Sequence, residues 1–248
     1  MPAPAQGQNV AAAFAELAET LASDLDIDRY LTAVCHHCVG LIGVRCAVIC
    51  YHDTAHEDAD DPVTRVASSQ DTGRWLVTGS PDPSQGPIAH CMSTGELISV
   101  ADVRARRDQW PWFAREAIAA GFRTVTVVPL NPQAGVSGAL ALLGGATPDA
   151  SGLLLALALA DAAGAGIALT DELRRQEASI SQLQNALTSR IVIEQAKGVL
   201  AERWKVTPDE AFRTLRRYAR DTQSRLPDLA ASVVNGTIEI APDKARPS

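Results

Sequence analysis

The chain has 248 residues, 46% of them hydrophobic, which is enough apolar material for one large domain or two small ones. Its net charge of -7 argues against a general affinity for nucleic acid. The charge is unevenly divided, because residues 1–170 hold 9 Lys/Arg against 18 Asp/Glu, whereas residues 171–235 hold 11 against 9. An acidic body followed by a mildly basic segment is a first indication of two domains.

The N-terminal segment, the longest apolar run and the cysteines indicate where in the cell the protein is found. The N-terminal MPAPAQGQNV has no basic region before an apolar stretch, and the longest apolar run, residues 151–170, is interrupted by Asp161. We therefore expect neither a secretory signal nor a membrane span, and a cytoplasmic protein. The five cysteines are odd in number and lack framework spacing, so we expect them to be reduced.

The N-terminal two thirds alternate between helix and strand patterns. Apolar spacing of three and four predicts two amphipathic helices between residues 11 and 41, with a break near residues 24–28. Strands are predicted in VRCAVICYH, VTRVASSQ, LISV, TVTVVPL and SGALALLGG, with a short helix before LISV and another in REAIAAGF. RWLVTG is too short to assign, and residues 1–10 are expected to be disordered. The pattern predicts an α+β domain with an antiparallel sheet flanked by helices.

The chain from Ser151 onward is helical almost without interruption. Leu173, Ile180, Leu183 and Leu187 follow heptad-like spacing, which predicts a short parallel coiled coil over residues 171–187 and hence a homodimer.

A new helix is predicted to start in KVTPDEAF. Thr207 is placed as N-cap, Pro208 as first helical residue and Glu210 as the partner in a capping box. RLPDLAASVV supplies a third short helix, which completes an all-α three-helix bundle. The polar tail, residues 237–248, is expected to be disordered.

Two cysteine-containing motifs suggest chemistry that their spacing does not support. CHHC at residues 35–38 has zinc-ligand residue types, yet four consecutive helical side chains point in four directions. His90 and Cys91 could attach or ligate a pigment, but they occur once and without an aromatic cluster. No nucleophile elbow, phosphate loop or dinucleotide fingerprint is present, so we expect no metal site, no cofactor and no enzyme activity.

The basic segment could bind nucleic acid. Arg213, Arg216, Arg217 and Arg220 recur on the second helix of the bundle, with Arg225 after it and Tyr218 nearby. Such a cluster suits the phosphates and bases of folded RNA. A solvated face neutralised by salt bridges is the alternative reading of the same charges.

The string ALTSRIVIEQAKGVLAERWKVTPDEAFRTLRRYARDTQSRLPDLAASVV resembles the ANTAR domain, the three-helix RNA-binding module of bacterial antitermination regulators. The resemblance implies a domain over residues 181–236 that dimerises, binds two-hairpin leader transcripts and lets transcription continue past a terminator. On charge, helical position and this resemblance, we expect Arg190, Lys197, Arg216 and Arg220 to contact phosphate. Gln195 is expected to make a polar contact, and Gly198 to lie at the RNA-binding surface.

The preceding segment resembles the GAF domain, a small-molecule sensor fold. The resemblance is carried, in order, by QGPI, TGE, VAD, QWPWF, AAGFRT, VPL and SGALAL, and it implies a sensor domain over residues 11–170. No motif of the cyclic-nucleotide, haem or bilin subclasses is present, so the ligand is not assigned. The whole resembles a GAF-ANTAR antitermination regulator; a dimeric sensor whose helical tail docks a protein partner without binding RNA is the alternative.

Gly198 stands in the middle of a strongly helical stretch, IEQAKGVLAERW, where glycine costs about 1 kcal/mol relative to alanine. We expect something to pass close to the backbone here. Another helix of the bundle or of a dimer is favoured over an RNA backbone.

Overall fold

The computed structural model describes residues 4–23, 26–53, 63–130 and 136–241. It divides into two compact units, Met1–Arg174 and Arg175–Ser248. The helices are α1 (Pro4–Ser23), α2 (Ile27–Ile42), α3 (Asp71–Thr78), α4 (Pro87–Thr94), α5 (Pro111–Ala119), α6 (Ala150–Trp204), α7 (Pro208–Asp221) and α8 (Leu226–Val234). The strands are β1 (Cys46–Asp53), β2 (Val63–Ser68), β3 (Ile98–Val100), β4 (Thr124–Pro129) and β5 (Gly138–Gly144).

The five strands form one sheet in the order β2-β1-β5-β4-β3, with every neighbouring pair antiparallel. All five strands predicted from the sequence are therefore confirmed, and so is the α+β class. Residues 54–62, between β1 and β2, and residues 131–135, between β4 and β5, lie outside the described residues. Helices cover both faces, so β1 and β5 are buried on both sides and contain almost only apolar residues.

One face of the sheet packs against α1, α2 and the first part of α6. In this layer, Tyr30 of α2 packs directly against Gly166 of α6. The Tyr30 hydroxyl donates to the Ala162 carbonyl oxygen at 2.9 Å, and a Cβ on Gly166 would lie 2.5 Å from Tyr30 Cε1. The absence of a side chain at Gly166 therefore lets the tyrosine ring lie directly on the backbone of α6.

The other face packs against α3, α4 and α5. The RWLVTG segment does not predict α3, because a helix of eight residues with a glycine inside it carries little helical signal. Helix α3 packs closely against the sheet at Gly73. A Cβ on this residue would collide with the side chains of Cys46, Ser68 and Val48. Tertiary contact with the sheet thus stabilises a helix that local propensity does not predict.

The C-terminal unit has its own apolar core. Helix α6 contributes Ala196 and Leu200, α7 contributes Ala211, Leu215 and Ala219, and α8 contributes Leu229, Ala230 and Val233. On each helix these residues lie on one face, as a period of 3.6 residues requires.

Both predicted disordered ends need correction where the structure describes them. Helix α1 begins at Pro4, a residue tolerated in a first helical turn because it has no N–H to leave unpaired. At the other end, Gly236 has φ 71°, and the chain turns back so that Ile240 is buried in the C-terminal core. Residues 242–248 of the predicted tail lie outside the described residues.

By length and composition alone, one described helix, α6, could cross a membrane. Its apolar first part includes Ala156, Leu159, Ala163 and Ile167, which belong to the core beneath the sheet. Packing within the protein accounts for the apolar character of these positions.

Candidate nucleic-acid interface

The predicted capping box is present at the start of α7. Thr207 Oγ1 accepts a hydrogen bond from the Glu210 N–H at 3.3 Å, and the Glu210 carboxylate accepts one from the Thr207 N–H at 3.0 Å. The hydrogen bond from the Thr207 backbone, and then that from its hydroxyl, lower the pKa of Glu210. These bonds fix where α7 begins and therefore which way each later side chain points.

The arginines of α7 lie on the face opposite its buried residues. Side chains three, four and seven residues apart share one face of a helix. The arginine stripe, defined as Arg213, Arg216, Arg217 and Arg220, follows this spacing, and all four residues are exposed. The buried Ala211, Leu215 and Ala219 hold the other side of α7 against the core, so the stripe faces solvent.

Three of the predicted RNA contacts are exposed cations. Arg190 on α6 and Arg216 and Arg220 on α7 make no ion pair within the part of the chain that the structure describes. Gln195 and Gly198 are also exposed on α6. The salt-bridged alternative applies elsewhere on the unit, since Lys205 pairs with Glu202.

Lys197 is placed differently from the arginines. Its Nζ lies 2.9 Å from both carboxylate oxygens of Glu194 and 5.4 Å from the centroid of the Phe212 ring, and its side chain is only 17% exposed. A lysine held between a carboxylate and an aromatic face links α6 to α7. Its charge is largely neutralised before any RNA arrives. Lys197 is therefore better suited to position Glu194 and Phe212 than to bind a phosphate.

Gly198 does not lie at a close approach within the described chain. A Cβ on it would meet nothing within 4 Å, and the residue is exposed. The expectation that another helix of the same bundle crosses here is wrong, because α7 and α8 pack on the side of Ala196 and Leu200. A dimer partner or an RNA remains as the surface that would need the space.

The CHHC motif is spread around helix α2. Cys35 and Cys38 are fully buried in the core, His36 is exposed, and His37 Nε2 lies 3.5 Å from a carboxylate oxygen of Glu16. Among the described residues no group of three or more His, Cys, Asp or Glu could hold a metal ion. Cys91 is likewise buried in the core, whereas the neighbouring His90 is exposed.

The five thiols should be unreactive in the folded protein. Each is at most 3% exposed, and burial raises the pKa of Cys50 to about 12 and that of Cys91 to about 11. Because the thiolate is the reactive form, raised pKa values keep the thiols protonated at pH 8. We expect Ellman's reagent to leave all five unmodified in native protein and to modify all five in guanidinium. Rapid reaction of any thiol under native conditions would contradict this burial.

Two family models match the chain. A model described as GAF domain matches residues 24–170, and one described as ANTAR domain matches residues 181–234. The chain belongs to the GAF family and carries an ANTAR domain after the GAF domain. This GAF-ANTAR protein is therefore a signal-regulated regulator of the ANTAR type, and an ANTAR domain implies RNA as a partner. Neither domain is a catalytic one.

Solved structures similar to the GAF-ANTAR protein include two GAF domains and one reductase. The GAF domain of a phosphoenolpyruvate-protein phosphotransferase from Coxiella burnetii has 15% identity and TM-score 0.48, covering 69% of this chain and 98% of that one. The corresponding Acinetobacter domain has 12% identity and TM-score 0.47, covering 67% and 94%. Free methionine-R-sulfoxide reductase from Neisseria meningitidis has 17% identity and TM-score 0.48, covering 66% and 91%. No curated protein matches the chain.

Two of the cavities in the described part of the GAF domain lie on different sides of its sheet. A groove of about 720 Å³ lies between α1 and the start of α6 and is lined mainly by apolar residues. A cavity of about 30 Å³ lies between α5 and the loop before α4, beside a tryptophan cluster. Sequence reasoning missed that cluster, because QWPWF served only as part of a family resemblance and Trp75 lies in the segment left unassigned.

Proposed function

We propose that the GAF-ANTAR protein is a cytoplasmic, homodimeric, non-enzymatic regulator that binds paired RNA hairpins through its C-terminal unit. By doing so it would displace a terminator and let transcription continue. The GAF domain would control this binding through a ligand, a redox change or a partner. An effector can act only if its affinity differs between two arrangements of the protein.

The observation that carries the proposal is the basic surface of the ANTAR domain. Residues 181–234 contain nine Lys/Arg against six Asp/Glu, in a chain whose net charge is -7. Arg216 and Arg220 share the exposed stripe of α7, and neither is neutralised within the described residues. Unpaired arginines in a row are suited to the phosphates of a folded RNA.

The proposal is tested by titrating the full chain into a labelled two-hairpin leader RNA at several salt concentrations. We expect saturable binding whose logarithmic affinity falls linearly with the logarithm of salt, because phosphate contacts release counterions. A single hairpin of the same composition is the matched control and should bind more weakly. Absence of salt-dependent binding would favour the alternative, in which the tail docks a protein partner.

The homodimer is supported by a run of exposed apolar residues along α6. Ile180, Leu183 and Leu187 are 55%, 71% and 61% exposed, and Ile191 continues the run. Large apolar side chains at heptad spacing on an exposed helix are typical of a coiled-coil seam. A second copy of the chain would cover them.

Replacing both Leu183 and Leu187 with glutamate should convert the dimer to a monomer. The substitutions remove two leucines from each helix of the coiled coil and place like charges opposite each other. They should raise the dissociation constant of the dimer roughly a hundredfold or more. Light scattering coupled to gel filtration measures the change. The matched control, Gln182→Glu with Asn185→Glu, adds the same charge outside the seam and should remain dimeric. A dimeric seam variant would show that the dimer uses another surface.

A further inference from the structure

Three of the four tryptophans of the chain lie near one another in the GAF domain. Trp75 on α3 and Trp112 on α5 have ring centroids 6.3 Å apart, and Trp110 lies directly before α5. Trp110 is buried and Trp112 half-buried. In a chain with only 4% aromatic residues, this is a strong local concentration of π-surface.

Two tryptophans of the cluster, Trp110 and Trp112, lie in one wall of the small cavity of about 30 Å³. Trp110, Trp112 and Phe113 line it from the α5 side, and Ser80, Pro81, Asp82 and Gln85 line it from the loop between α3 and α4. A volume of about 10–15 Å³ on this measure holds one water. The cavity therefore admits a group the size of about two waters and excludes anything bulkier without rearrangement.

The polar wall carries a fixed negative charge. One carboxylate oxygen of Asp82 accepts from the Ser84 N–H at 3.0 Å and from the Ser84 hydroxyl at 2.6 Å, and the other accepts from the Gln85 side-chain amide at 2.8 Å. These bonds, led by that of the Ser84 hydroxyl, lower the pKa of Asp82 and keep it ionised. A carboxylate has about four acceptor positions, so these three bonds leave one for a ligand.

The aromatic wall already attracts a cation. The Arg106 guanidinium lies 6.0 Å from the Trp110 ring centroid and donates to the Gln109 side chain at 3.0 Å. Tryptophan is the strongest cation-π acceptor among the side chains. A positively charged group between Trp110, Trp112 and Asp82 would be attracted by both walls.

We propose that this cavity binds the ammonium head group of a small primary amine, and that such an amine is a ligand of the GAF domain. The proposal rests on the sensor role proposed above. The carboxylate and the π-faces together select a cation, and an anion would face Asp82. The small volume selects –CH₂–NH₃⁺ over a trimethylammonium group. The remainder of the amine would extend out of the cavity.

The test uses the full chain labelled with 5-fluorotryptophan, followed by fluorine NMR at constant ionic strength. Ethylammonium chloride should shift the Trp110 and Trp112 resonances saturably, with a dissociation constant in the millimolar range. The Trp204 resonance, in the ANTAR domain, is the internal control and should not move. Tetramethylammonium should bind at least about tenfold more weakly because of its size, and ethanol should cause no saturable shift.

Two variants locate the site. Asp82→Asn should weaken ethylammonium binding about tenfold or more, whereas Asp108→Asn, which removes an exposed carboxylate outside the cavity, should not. Asp82→Asn should also bind the two-hairpin RNA as wild type does without amine, so loss of the amine site and failure of RNA binding are separate results. An unchanged affinity in Asp82→Asn, equal binding of tetramethylammonium, or no saturable shift would overturn the proposal.

Discussion

Replacing Arg216 and Arg220 together with alanine should weaken binding of the two-hairpin RNA about a hundredfold and reduce its salt dependence. Both side chains are exposed and without an ion pair among the described residues, so each is free to contact a phosphate. A hydrogen bond to a charged group contributes about 1.5–3 kcal/mol, or about tenfold or more in affinity. Each lost phosphate contact should also lower the slope of log affinity against log salt by about one.

Lys197 should behave differently in the same assay. Its ammonium is held by Glu194 and lies over Phe212. Lys197→Met therefore removes a contact between α6 and α7 without removing a contact to phosphate. We expect reduced stability of the ANTAR domain and moderately weaker binding, with an unchanged salt slope. A slope lowered by about one would restore Lys197 to the role predicted from the sequence.

The matched control for lost charge is Arg104→Ala with Arg107→Ala in the GAF domain. Both arginines are exposed, and their removal changes the net charge by the same amount as the α7 double variant. RNA binding should stay within about twofold of wild type. If the control loses as much affinity as the α7 variant, the effect is one of overall charge and the arginine stripe is not the binding face.

Gly166→Ala should destabilise the GAF domain by about 1–3 kcal/mol. The new Cβ would lie 2.5 Å from Tyr30 Cε1, inside a packed core, and overpacking of this kind costs that amount. The tyrosine ring cannot withdraw without breaking its hydrogen bond to the Ala162 carbonyl. Hydrogen exchange followed by mass spectrometry measures the change domain by domain, with the peptides of α2 and α6 losing protection first.

Gly198→Ala is the comparison for this prediction. The same substitution on the same helix meets nothing within 4 Å, so it should stabilise the ANTAR domain by up to about 1 kcal/mol through helix propensity alone. Combining Gly166→Ala with Tyr30→Leu should cost less than the two single changes added together, because the leucine vacates the contested space. Additive costs would show that the tyrosine is not what Gly166 accommodates.

These two glycines show how far the sequence alone could lead. Gly198 stands out within its own segment, whereas the packing requirement falls on Gly166, which sits in an alanine- and glycine-rich run and meets a tyrosine from the first part of the chain. Local signals were sufficient where the interaction is local, as in the capping box of Thr207 and Glu210. They failed where a distant contact decides, as for α3 against the sheet and Ile240 in the C-terminal core.

The candidate RNA interface divides in the same way. Helical spacing placed Arg216 and Arg220 on the outer face of α7, because periodicity depends only on the helix itself. The ion pair of Lys197 with Glu194 is local to α6, whereas the contact of Lys197 with Phe212 depends on how α6 and α7 pack together. The tryptophan cluster joins residues from α3 and α5 that no spacing rule connects.

Side chains along β1 alternate between the two hydrophobic cores, so a single strand separates one core from the other. Ile49 and Tyr51 belong to the core shared with α6, while Cys50 between them belongs to the core beneath α3 and α5. A ligand that moved α5 would therefore press on the same strand whose neighbouring residues support α6, with no loop in between. A small displacement of β1 would therefore be enough to couple the amine cavity to the first part of α6.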